Sequence, residues 1–197
     1  MTRQRLRFFE KSLGQRHIVE SDKYLYKSPK ASHNIVVIGT GTMGQEHMYV
    51  ATLLGRTRIH GIYDSYAHSM DIAEDNYKKY SNDVLVRYSN LEAAFKDPNI
   101  DAIMVCTPNH THFDILSVAM ETGKPIFLEK PMATSIENAK SIVDACEDYE
   151  TFVQLGLQYR YKSQYVEALH ELEQRNSLGV LKTVSISEYR PPFLDKV

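Results

Sequence analysis

The stretch Asn34-Ile35-Val36-Val37-Ile38-Gly39-Thr40-Gly41-Thr42-Met43-Gly44 decides the fold. Four β-branched apolar residues in a row read as a strand buried on both faces, the habit of parallel sheets. The run meets three glycines spaced G-x-G-x-x-G and passes into a helical pattern. Gly39 suits a tight turn, Gly41 a close backbone approach to a pyrophosphate, and Gly44 close helix–strand packing. Thr42 and Met43 open the helix, whose free N–H groups and positive dipole end favour an anion. Strand before and helix after are the context that gives the glycine spacing its meaning.

Downstream, apolar or amphipathic residues at 43, 47, 50, 51 and 54 share one helical face, and Gly55 stops the helix. His47 reads as a helix-surface residue rather than a ligand. A second strand over 58–64 ends in Asp64, 25 residues after Gly39. At that position in a βαβ unit an acid accepts hydrogen bonds from the adenosine ribose. A helix over 66–80 and a short strand over 84–88 follow; Asn90 caps a helix over 91–96. A buried strand over 101–107 leads to the loop 108–112, a helix over 113–122, and a fifth strand over 125–129. Thr134 and Glu137 suggest a capping box for a helix with Ile136, Ala139, Val143 and Cys146 inward. A sixth strand over 152–157 completes an α/β, doubly wound parallel sheet of Rossmann type. Beyond it, 165–172 reads as an amphipathic helix, and 180–189 alternates like a half-exposed antiparallel strand. That strand is expected to begin a second α+β domain, largely absent, since a lone strand is not stable.

The whole chain of 197 residues and 22.6 kDa has room for one full domain and the start of another. The expected organisation is a basic extension over 1–33, a dinucleotide-binding domain over 34–160, and the start of a substrate or oligomerisation domain over 161–197. Residues 1–33 carry a net +5 and the remainder −7. Arg3, Arg5 and Arg7 give the extension a faint transit-peptide look, but its three acids favour a solvated arm. The overall charge of −2 points to neither nucleic acid nor membrane. No apolar run is long enough to span a bilayer. Cys106 and Cys146 lie in apolar patterns and read as buried thiols, so a reducing, cytoplasmic location is the default.

Three stretches fall at strand ends: the glycine loop, Cys106-Thr107-Pro108-Asn109-His110-Thr111-His112, and Gly123-Lys124-Pro125-Ile126-Phe127-Leu128-Glu129-Lys130-Pro131. Together they resemble the glucose-fructose oxidoreductase and inositol dehydrogenase-like family of NAD(P)-dependent oxidoreductases (Gfo/Idh/MocA), from about residue 34 to 189. The resemblance implies that the segment from Gly39 to Gly44 holds the pyrophosphate and Asp64 the ribose. It implies that Thr107, Pro108 and Asn109 line the nicotinamide side, with His112 close to the cofactor. Glu129 and Lys130 match the Glu-Lys-Pro motif, whose lysine contacts a substrate hydroxyl and the nicotinamide ribose. Gln158 and Arg160 match the segment that crosses toward the substrate.

Physical reasoning agrees on Lys130: an ammonium at the mouth of a desolvated cleft holds a hydroxyl and stabilises negative charge developing on its oxygen. The family's usual D-x-x-x-H acid/base pair has no match. Asp64 and His68 have the spacing but sit at the ribose position; His170 reads as a solvated face; His110 and His112 with Asp114 make a weak metal pattern, so no metal is expected. The expected function is hydride transfer between a nicotinamide and a polyol, sugar or inositol-like hydroxyl, with a homo-oligomer left open. The alternative is a dinucleotide-binding module or sensor without turnover. Asp64, with Ser65 and Tyr66 beside it and no cation, favours NAD over NADP.

Overall fold

The computed structural model describes residues 31–175 and 177–189. The basic segment therefore lies outside the described residues as far as position 30. The chain divides into two compact units, Met1–Gly156 and Leu157–Val197.

The first unit is built on six strands: β1 (His33–Ile38), β2 (Thr57–Tyr63), β3 (Val86–Arg87), β4 (Ala102–Val105), β5 (Ile126–Leu128) and β6 (Val153–Leu155). All pair in parallel, in the order β3-β2-β1-β4-β5-β6. The period of two along β1 explains its uninterrupted apolar run. Val36 and Ile38 enter one core with Ile103, Val105, Ile126 and Leu128, while Val37 enters the opposite core with Ile59 and Ile62. Helices α1 (Thr42–Leu54) and α2 (Ala67–Tyr77) cover the second face through Met48, Met70, Ala73 and Tyr77. The first face is covered by α3 (Leu91–Lys96), α4 (His112–Met120) and α5 (Ile136–Glu147), through Phe95, Leu116, Ala119 and Ile142.

Several local expectations shift. On α1 the buried positions are Gly44 and Met48, while Val50 and Leu54 are exposed, because Gly44 must touch the strand and sets the helix rotation. The α5 cap is Ser135, which accepts from the Asn138 N–H, and not Thr134. On that helix Ile142 is buried and Cys146 packs against the same core, while Ile136 and Val143 are exposed. Strand β3 shrinks to two residues at the sheet edge, and α2 ends at Tyr77.

In the second unit, α6 (Ser163–His170) continues into a π-helical turn, Glu171–Arg175. Tyr159 and Tyr165 stack at 5.9 Å, with the Lys162 ammonium 3.7 Å from the Tyr159 ring centroid. Residues 181–189 form no strand and are exposed, contrary to the alternating pattern. Alternation marks one face for burial, but hydrogen-bonded neighbours are what make a strand. No helix among the described residues is long and apolar enough to cross a membrane.

Candidate functional site

The carboxyl ends of the strands are tied together one residue beyond the regular sheet. Gly39 N–H donates to Tyr63 O at 2.8 Å, Cys106 N–H to Ile38 O at 2.8 Å, Glu129 N–H to Val105 O at 2.9 Å, and Gly156 N–H to Leu128 O at 2.8 Å. The first residue of each loop thus leaves from a fixed backbone position. The order reverses between β1 and β4, the switch point where open α/β sheets bind ligands.

Gly39 has φ +91°, and a Cβ there would lie 2.7 Å from the Cys106 carbonyl carbon. At Gly44 a Cβ would lie 2.0 Å from Gly39 O. Gly41 differs: nothing lies within 4 Å of its would-be Cβ. It is the N-cap of α1, and no side chain caps that helix end. Open space over the uncapped first turn of a 13-residue helix suits a phosphate group held by backbone N–H donors. Thr42 is exposed and Met43 half-buried at this end.

Asp64 immediately follows β2. Its Oδ2 accepts from the Thr40 N–H at 2.8 Å and the Thr40 hydroxyl at 3.2 Å, and its Oδ1 accepts from the Tyr66 N–H at 2.9 Å. Thr40 is fully buried, and its carbonyl accepts from Gln45 Nε2 at 2.8 Å. Asn76 of α2 donates in turn to Gln45 Oε1 at 2.7 Å. Thr40 and Gln45, which the sequence reading passed over, therefore hold the loop on both sides. Only the glycine spacing around Thr40 hinted at it.

Across the switch point, Thr107 is half-buried while Pro108 and Asn109 are exposed. The Thr111 hydroxyl lies 2.8 Å from both Thr107 Oγ1 and Pro108 O. His112 is 1% exposed, with Nδ1 2.8 Å from Pro131 O and Nε2 2.9 Å from Thr107 O. Either tautomer donates to one of these carbonyls, so the ring binds the two loops to each other from beneath. Its nitrogens are engaged with backbone rather than turned outward.

Glu129 is buried, and its Oε1 accepts from His47 Nε2 at 2.7 Å. His47 is thus more than a surface residue of α1. Lys130 is exposed beside it, joined to Pro131 by a cis peptide bond. Burial, then the charge of Glu129, push the Cys106 thiol well above its usual range, which keeps it protonated and unreactive. The other motif lysine, Lys124, sits at the opposite end of β5. There it donates to Phe95 O at 3.1 Å and Asp97 O at 2.9 Å, closing α3, and burial pulls its ammonium below the usual range. Gln158 and Arg160 are exposed in a short 3₁₀ turn of the second unit.

A family model described as an oxidoreductase family with an NAD-binding Rossmann fold (GFO_IDH_MocA) matches residues 33–157. The chain belongs to this family. Within it, the inositol 2-dehydrogenase of Paracoccus denitrificans is 34% identical over 134 residues, which cover 67% of this chain and 39% of that protein. An inositol 2-dehydrogenase/D-chiro-inositol 3-dehydrogenase of Lacticaseibacillus casei is 31% identical over 79% of this chain and 44% of its own length. The crystal structure of a Lactobacillus casei myo-inositol dehydrogenase with NAD(H) and myo-inositol superposes with a TM-score of 0.67 at 30% identity. That match covers 75% of this chain and 42% of that one. The chain thus spans about two fifths of the length of the family members it matches.

Proposed function

We propose that this chain supplies the cofactor half of an NAD-dependent dehydrogenase acting on a polyol or inositol-like hydroxyl. The observation that carries the reading is the convergence at the carboxyl end of the sheet of the open cradle at Gly41, the Asp64 carboxylate and the Glu129–Lys130 turn. The α1 N-terminus and the Thr40–Gly41 backbone hold the pyrophosphate, and Asp64 takes the ribose hydroxyls with the acceptor capacity that Thr40 and Tyr66 leave it. Thr107, Pro108 and Asn109 flank the nicotinamide, whose ring supplies hydride chemistry when bound. Lys130 orients the reacting hydroxyl and stabilises negative charge on its oxygen. Inositol-type substrates are favoured because the similar dehydrogenases named above act on them.

Asp64 also favours NAD. Arg87, at the end of β3, donates to Asp71 Oδ1 at 2.7 Å and lies 3.5 Å from Glu74 Oε2, so its charge is already taken up. Arg58 faces Asp83 at 3.4 Å at the amino end of β2.

One observation favours a second reading, a dinucleotide-binding module without turnover. Among the described residues, His47 is committed to Glu129 and His112 to two carbonyls, while His110 is exposed on its loop. Proton transfer by a positioned side chain contributes roughly a hundred- to ten-thousand-fold to rate. Incubating the 197-residue chain with NAD and a panel of inositols and polyols separates the readings. Turnover that disappears in Lys130→Ala supports the dehydrogenase reading for this chain alone. Tight NAD binding without turnover supports the module.

A further inference from the structure

We infer that His47 is a positioning residue for Lys130, acting through the two oxygens of Glu129. This rests on the reading of Lys130 above as the lysine beside the cofactor. Glu129 is 6% exposed, and each of its oxygens has a different donor. Oε1 accepts from His47 Nε2 at 2.7 Å and Oε2 from the backbone N–H of Lys130 at 2.9 Å. The carboxylate therefore joins a side chain of the pyrophosphate helix to the first peptide of the Lys130 turn. The joint is closed around its rim. His47 meets the Phe127 ring edge-on, with centroids 4.9 Å apart. A Cβ at Gly156 would lie 2.9 Å from the tip of Phe127 and 3.2 Å from Glu129 Oε1, so a side chain there would have to displace the ring that packs on the pair.

A buried carboxylate is a poor choice for stability alone, since an apolar residue of similar size commonly serves as well. Its value here is directional. Two donors on opposite oxygens fix the carboxylate plane, and with it the peptide from which the Lys130 side chain departs. The same two bonds couple α1 to the turn, so a dinucleotide seated on α1 meets Lys130 at a set position. Without His47, Glu129 is free to rotate and the exposed lysine loses its fixed origin.

The test reads Lys130 directly. The 197-residue chain is treated with an amine-acetylating reagent, with and without saturating NADH, and acetylation of Lys130 is followed by mass spectrometry. Exposed Lys96 serves as the internal standard. In the wild type NADH should slow Lys130 acetylation roughly tenfold, the factor that about 1.4 kcal/mol of contact confers. In His47→Leu that protection should fall to about twofold or less at saturating NADH. His47→Gln, whose amide N–H reaches the same oxygen, should restore it. Glu129→Gln offers one acceptor oxygen to two donors and should behave like His47→Leu, which keeps the test decisive if His47→Leu does not fold. A purely structural brace would lower the melting temperature and leave protection intact. Full protection in folded His47→Leu or in Glu129→Gln overturns the inference while leaving the cofactor reading standing. No protection in the wild type overturns both.

Discussion

Gly39, Gly41 and Gly44 are identical in composition and differ in what surrounds them. At Gly44 a methyl group would collide with Gly39 O at 2.0 Å, so helix and strand must separate. Gly44→Ala should therefore cost about 1–3 kcal/mol or more, the range of overpacked cores, read as a lower urea midpoint. Gly41 has φ −66° and open space, so Gly41→Val should melt close to wild type. Its side chain would instead fill the cradle and abolish dinucleotide binding. Equal melting of the two variants, or normal cofactor affinity in Gly41→Val, would contradict this division of roles. The spacing alone identified these glycines, because each role depends on the backbone. Thr40 and Gln45 escaped notice because hydroxyl and amide groups carry no positional pattern until the loop closes on Asp64.

Elements were readable where periodicity and a cap agreed. The β1 run, Asn90 as the α3 cap and Gly55 as the α1 stop all hold; Asn90 accepts from the Ala93 N–H at 2.8 Å. At α5 two adjacent hydroxyl residues compete for the cap and Ser135 makes it; separately, the inward face holds Ile142 and Cys146 rather than Ile136 and Val143. The loop after α3 hides a polar cluster that no motif announced. Tyr88 OH donates to Asp97 Oδ2 at 2.6 Å, and His60, the residue skipped where the β1–β2 register shifts, lies 3.6 Å from the same oxygen. The Tyr88 hydrogen bond first, and then the Asn99 backbone N–H, hold the Asp97 carboxyl below its usual range. A depressed carboxyl stabilises the fold above its unfolded value near 4. That contribution fades as pH falls through the folded value. Tyr88→Phe removes the largest cause, so it should cost about 1–2 kcal/mol at neutral pH. It should also shift acid unfolding, followed by circular dichroism, to higher pH. An unchanged acid limb would show that the bond does not act on Asp97.

At the scale of the molecule, alternating strands and helices were enough to reach the six-stranded parallel sheet, because buried runs and glycine turns are local signals. The antiparallel strand expected over 180–189 did not follow, since strand formation depends on partners that periodicity cannot supply. A cleft of about 540 Å³ at the amino ends of β1 and β2, lined by Asn34, Arg58, Tyr77 and Asp83, lies away from every motif. On the proposed reading the ligand sits instead at the carboxyl ends, with an acid at the adenosine ribose. The most direct measurement is a fluorescence titration of the 197-residue chain with NADH and NADPH in parallel. NADH should bind at least about tenfold more tightly, because a 2′-phosphate near Asp64 costs on the order of one to a few kcal/mol. Asp64→Ala should narrow that gap. Equal or tighter NADPH binding, or no binding of either, would contradict the assignment of this end of the sheet.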